Sequence, residues 1–146
     1  MEAHDGGNPP VLVIDDVQSA RAILCDMLRE LGFTHLIEAK DGQEGLQILA
    51  KQEVQMIFCD NVMDGMSGID FLTNLRNHRK CSEVPVIFVS AVGDVSIVEE
   101  AMDLGAVDYV VKPISFRKLR RKIDQIRVNS SSESAQSYEI SLEGSR

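Results

Sequence analysis

Four short apolar runs in this 146-residue chain stop on polar side chains of complementary charge and bonding type, and that recurrence restricts the fold more than any other feature. Val11 to Ile14 runs into Asp15-Asp16, and Val54 to Cys59 runs into Asp60. Val86 to Val89 ends at Ser90, and Asp108 to Val111 ends at Lys112-Pro113. A fifth run, Leu36 to Ala39, is followed by Lys40-Asp41-Gly42 and reads as an ordinary strand-to-helix turn. Short apolar runs of this kind suit strands buried on both faces, as in a parallel sheet covered by helices.

The segments between the runs have helical periodicity. Ile23, Leu24, Met27, Leu28 and Leu31 share one face, with Gly32 placed as a C-terminal cap. Asp41 with Glu44 has N-cap spacing ahead of Leu46, Leu49 and Ala50. Ser67 is placed to cap a helix bearing Phe71, Leu72 and Leu75. Ser96 with Glu99 has capping-box spacing before Ala101, Met102 and Leu104, and Gly105-Ala106 closes that segment. Ser115 precedes Phe116, Leu119, Ile123 and Ile126 on one stripe. Five strand–helix units predict an α/β fold: a doubly wound, five-stranded parallel sheet of order 2-1-3-4-5, flavodoxin-like (βα)5. Ligands of such sheets bind beyond the carboxyl ends of the strands, near the switch between strands 1 and 3. Asp15, Asp16 and Asp60 end those two strands.

The domain is expected over residues 10–128, after a flexible N-terminus at 1–9. A serine-rich stretch at 129–146, with Ser130, Ser131, Ser132, Ser134, Ser137, Ser141 and Ser145, reads as a flexible tail or linker. A formal charge of −8 disfavours general nucleic-acid binding, since phosphates would be repelled by the average surface. No stretch is apolar for the roughly 18 residues of a membrane span. Cys25, Cys59 and Cys81 lack metal-ligand spacing and read as free thiols in a reducing, cytoplasmic setting. His4, His35 and His78 lie in separate segments and are assigned no role.

Three carboxylates brought to one pocket repel each other, and a divalent cation resolves the conflict. Mg²⁺ suits such a set, because it takes one or two carboxylates and keeps waters and a phosphate oxygen; Mn²⁺ can substitute. With the charge neutralised, a carboxylate can attack phosphorus, a lysine can add positive charge and a serine can donate to a phosphoryl oxygen. Each residue alone has a plainer reading as a helix cap or loop residue. Together, at four strand ends, they point to an aspartyl phosphate.

At these residues the chain resembles the receiver domain of two-component response regulators, and in particular the single-domain chemotaxis regulators. The stretches VLVIDD, FCDNVMDGMSG, VIFVSA and GAVDYVVKPIS carry the resemblance, which covers roughly Pro10 to Val128. It implies that Asp60 is the phosphoacceptor and that Asp15 and Asp16 hold Mg²⁺ with Asp60 and the backbone carbonyl of Val62. It further implies that Ser90 is the switch hydroxyl, Lys112 the phosphate-binding lysine, Tyr109 the aromatic switch residue and Pro113 a proline after a cis peptide bond. Gly68 matches the glycine closing the acceptor loop. The implied partners are a sensor histidine kinase or histidine phosphotransfer protein upstream, and a protein target or fused output domain downstream. Neither direct nucleic-acid contact nor a membrane is expected. The switching surface is expected on helix 4, strand 5 and helix 5, which is also a dimer surface in the family.

Two departures stand out. Met63 is followed by Asp64 where the family usually has proline, which reads as a solvated loop carboxylate. Val62 and Val92 occupy the positions two residues after Asp60 and Ser90 that govern access of water to the acyl phosphate, and predict slow autodephosphorylation. A phosphohydrolase using an aspartyl phosphate is a second reading, but Val62 stands where such enzymes have a second acid. A degenerate interaction module is a third, opposed by retention of the five key side chains. Arg117, Lys118, Arg120, Arg121, Lys122 and Arg127 make a basic final helix, read as a solvated face or a docking surface for an acidic partner.

Overall fold

A computed structural model describes residues 8–78, 83–91 and 93–128. The N-terminal stretch 1–7, the tail 129–146, Cys81 and Val92 therefore lie outside the described residues. Chain contacts divide the protein after Ile114. The first unit runs β1 (Val11–Ile14), α1 (Gln18–Glu30), β2 (Leu36–Ala39), α2 (Gly42–Lys51), β3 (Met56–Asp60), α3 (Gly68–Arg76), β4 (Val86–Ala91), α4 (Val95–Asp103) and β5 (Asp108–Lys112). The second unit contributes α5, residues 116–128. Among the described residues no helix is long and apolar enough to cross a membrane.

All four strand pairings are parallel, in the order β2-β1-β3-β4-β5. The inner strands β1, β3 and β4 are buried nearly throughout, whereas the edge strands β2 and β5 are half-exposed. This is why the inner strands are continuous apolar runs, with no alternation for water on one face. Strand residues alternate between faces: Leu12, Ile14, Ile57, Cys59, Val86 and Phe88 pack in one cluster with Leu49, Phe71, Leu72, Leu75 and Ala101 from α2, α3 and α4. Phe58, Phe71 and Phe88 are fully buried, each burial contributing on the order of 1.5–3 kcal/mol.

The helix ends and apolar stripes follow the local chemistry with two exceptions. Asp41 accepts from the Glu44 N–H at 2.8 Å, and Ser67 with Asp70 forms a reciprocal capping box. Gly32, at φ 101°, closes α1: its N–H reaches the Arg29 carbonyl, and the Phe33 N–H reaches Leu28. The first exception is Ile23, which is 55% exposed; Cys25 takes its place on the buried face with Leu24 and Leu28. The helix turns Ile23 just past the edge of its apolar stripe. The second is Ser96, which lies inside α4 and not at its cap; Asp94 is the N-cap and makes no side-chain bond there. On α5, the Ser115 hydroxyl accepts from the Lys118 N–H at 3.3 Å, and Leu119 and Ile123 are the buried members of the stripe.

Cys25 and Cys59 are buried free thiols. Burial pushes the Cys25 thiol up to about 11 and raises that of Cys59 as well, with nearby carboxylates adding to both.

Gly68 shows how tightly α3 closes on β3. A Cβ there would meet the Asp60 carbonyl oxygen at 2.5 Å and the Asn61 Cα at 2.8 Å, both backbone atoms that cannot swing aside. The Gly68 N–H also donates to the Asn61 carbonyl at 2.9 Å. Gly68→Ala is therefore expected to lower the unfolding free energy by about 1–3 kcal/mol, measured by urea denaturation. A midpoint and slope equal to those of the natural chain would contradict this close approach.

Candidate functional site

The strand register assembles the site. Ile14 pairs with Cys59, so Asp15 and Asp60 come one step later on adjacent strands. Asp60 pairs with Val89, which sets Ser90 one residue beyond, and Ala91 pairs with Lys112. Asp15, Asp60 and Ser90 are the buried polar residues of the described chain, 5%, 5% and 1% exposed.

Lys112 reaches from β5 to both buried acids. Its Nζ lies 3.1 Å from Asp15 Oδ2 and 3.1 Å from Asp60 Oδ1. Burial raises the Asp60 carboxyl above its ordinary range, the bond from Lys112 lowers it and the Asp15 charge raises it again. For Lys112, burial acts to lower the pKa, but the bonds and charges of Asp15 and Asp60 outweigh it, so the net direction is up. The Lys112–Pro113 peptide bond is cis.

Carboxylate oxygens of Asp15, Asp16 and Asp60 lie within 4.8 Å of one another. An octahedral ion with bonds near 2.1 Å separates opposite ligands by roughly 4.2 Å, so small side-chain rotations suffice to place all three around one Mg²⁺. The donors are hard oxygens with no thiolate or imidazole among them, as such a cation requires. Three carboxylates and the Lys112 ammonium leave a local formal charge of −2, which one divalent cation balances.

The Ser90 Oγ is buried and, among the described residues, has no hydrogen-bond partner. An orphaned hydroxyl at that depth costs about 1–3 kcal/mol. Tyr109 is half-buried against the core cluster. The Val62 side chain is 70% exposed in the loop after Asp60. Asp64 is exposed, and its N–H donates to Asp16 Oδ2 at 3.3 Å, a bond that proline in its place could not make. Of the basic α5 residues, Arg117, Lys118, Arg120, Arg121 and Arg127 are exposed and Lys122 is half-buried.

The structure thus brings Asp15, Asp16, Asp60 and Lys112 together, with Ser90 at the next strand end. Two contacts escaped the sequence reading: the Asp64 N–H to Asp16, and Arg21, whose Nη1 donates to the Asp15 carbonyl at 2.6 Å. No periodicity or motif signals either, since one is a backbone donor and the other depends on how α1 lies beside β1.

Comparison with known proteins gives the family of the chain. The model of the response regulator receiver domain matches residues 11–124. The chemotaxis protein CheY-3 of Vibrio cholerae is 36% identical over 126 residues, covering 86% of this chain and 97% of that protein. The chemotaxis protein CheY of Pseudomonas aeruginosa is 37% identical over 121 residues, covering 82% of this chain and 98% of its own. A solved structure of a response regulator receiver domain protein from Clostridium thermocellum superposes with a TM-score of 0.75 at 25% identity, over 84% of this chain and 97% of that one. A receiver model spanning residues 11–124, relatives above one-third identity and a shared fold together establish that the chain belongs to the response regulator receiver domain family.

Proposed function

We propose that the domain is a phosphorylation-controlled switch that accepts a phosphoryl group on Asp60 from the phosphohistidine of a sensor histidine kinase or a histidine phosphotransfer protein. The observation that carries this reading is the buried Asp60 carboxylate, bonded to Lys112 and lying among the other acids, with the Ser90 hydroxyl, partnerless among the described residues, near the end of the neighbouring strand β4.

In the transfer, an Asp60 carboxylate oxygen attacks phosphorus. The new O–P bond forms as the N–P bond of the donor histidine breaks, and the imidazole nitrogen departs with that electron pair. Lys112 exchanges its bond to Asp60 for one to a phosphoryl oxygen, and the Ser90 hydroxyl donates to another. Asp15, Asp16, Asp60 and the backbone carbonyl of Val62 would hold Mg²⁺, or Mn²⁺ in its place, which supplies positive charge to the transferring oxygens. The protein acts as a signalling phosphoacceptor and not on an external substrate.

The switch follows from the orphaned hydroxyl. A phosphoryl group gives Ser90 the partner it lacks, stabilising the conformation that draws it inward, and Tyr109 on the adjacent β5 follows. Val95 and Met102 on α4, with Val107 and Val111 at and beside β5, are 64%, 40%, 44% and 38% exposed. These apolar side chains support a docking role for that side, toward a downstream target, a fused output domain or a second copy of the chain.

Incubation with acetyl phosphate and Mg²⁺, followed by intact-mass analysis, tests the reading. It predicts a single phosphoryl adduct that requires Mg²⁺ and is absent from Asp60→Asn; an adduct that persists in that variant overturns the assignment. The lifetime of the adduct tests the role of Val62. An exposed apolar side chain beside the acyl phosphate orients no water, so Val62→Asn is expected to speed hydrolysis by about threefold or more. An unchanged half-life would remove Val62 from that role.

A further inference from the structure

Arg21 stands one turn into α1, outside the acidic cluster, yet it is bonded to the cluster's backbone. Its Nη1 donates to the Asp15 carbonyl at 2.6 Å, and its Nε donates to Glu38 Oε1 at 2.9 Å. The Arg21 side chain is 13% exposed and that of Glu38 42%, so the guanidinium is largely enclosed while its acidic partner faces solvent. Glu38 lies on β2, paired in register with Val13 two residues before Asp15. One planar guanidinium therefore ties α1, the end of β1 and β2 together at the residue that opens the acidic pair. Lysine, a single-point donor, cannot reproduce that two-headed geometry.

The remaining polar atoms of Asp15 are held as well. Its N–H donates to the Ala39 carbonyl at 3.1 Å, its Oδ1 accepts from the Val17 N–H at 2.9 Å and its Oδ2 accepts from Lys112 at 3.1 Å. The carbonyl belongs to the peptide that leads into Asp16, so its direction sets where the second carboxylate starts. With the carbonyl free, the Asp15–Asp16 peptide could rotate and carry Asp16 away from Asp60.

We infer that Arg21, oriented by Glu38, is a positioning residue that fixes the Asp15–Asp16 peptide so that both carboxylates face one divalent cation. The inference rests on the cation site proposed above. It makes a prediction of definite sign, because charge and position act in opposite directions. A guanidinium near the site repels a cation, so by charge alone its removal would tighten binding. Loss of positioning weakens it.

Mn²⁺ binding to the full chain, followed by electron paramagnetic resonance of the free ion, separates the two. Measurements are made well below the unfolding temperature of each variant, established by circular dichroism melts, so that a purely structural loss does not register. Arg21→Met and Arg21→Lys are each expected to weaken Mn²⁺ affinity by about tenfold, the low end for groups that orient metal ligands. Arg21→Lys preserves the charge and decides alone if Arg21→Met does not fold. Unchanged affinity in Arg21→Lys, or tighter binding in Arg21→Met, overturns the inference and leaves the cation site standing. Failure of the natural chain to bind Mn²⁺ overturns the cation site and the inference with it.

Discussion

The Lys112 ammonium lies 3.1 Å from each of two carboxylates, Asp15 and Asp60, that the fold has almost wholly removed from water. Two buried acids side by side would otherwise share a proton or force the strand ends apart. Lysine places a positive charge against both at the cost of being partly drawn in from solvent itself. The rest of the site is arranged around that contact. It requires β5 to end at Lys112 and to sit beside β4, which in turn requires β3 and β1 in the registers observed. A slip of one residue in any of these strands would turn every side chain to the opposite face and separate the three groups.

The same arrangement leaves Ser90 without a partner, and the two facts belong together. Lys112 bonds the two acids, while the buried Ser90 hydroxyl near the end of β4 has no partner among the described residues. A site complete in itself would be a structural ion pair. This one carries an excess of negative charge and a buried hydroxyl with no partner among the described residues, two features that a stability argument alone does not explain. The proposed phosphoryl switch uses both, and it does so through β4 and β5, the strands that carry Ser90 and Tyr109. The energy involved is small: a few charge-assisted hydrogen bonds are comparable with the few kcal/mol that separate two conformers of a domain.

Much of this was readable in the sequence because strands buried on both faces leave no room for polar residues until they end. The abrupt change from Val89 to Ser90, or from Cys59 to Asp60, therefore located the strand ends to within a residue or two, β3 running through Asp60 and β4 through Ala91. The Asp41, Ser67 and Gly32 caps were legible for the same reason, since each serves a backbone need that few side chains meet. Ile23 and Ser96 were misplaced because a helical stripe and a capping box are periodic patterns. Both tolerate a shift of a residue or two, and only packing decides which residue lies inside. The Arg21 bridge to Glu38 spans 17 residues and depends on how α1 crosses two strands, so nothing local announced it. The roles of Asp60, Ser90 and Lys112 came from the family resemblance, to which the geometry adds proximity.

Binding of beryllium trifluoride, a tetrahedral phosphoryl mimic, in the presence of Mg²⁺ tests the central claim most directly, observed by ¹⁹F nuclear magnetic resonance. The account predicts a bound fluoride signal in the natural chain that vanishes in Asp60→Asn and weakens about tenfold in Ser90→Ala, the value of one hydrogen bond to a charged group. A bound signal that survives Asp60→Asn, or no bound signal in the folded natural chain, would contradict it.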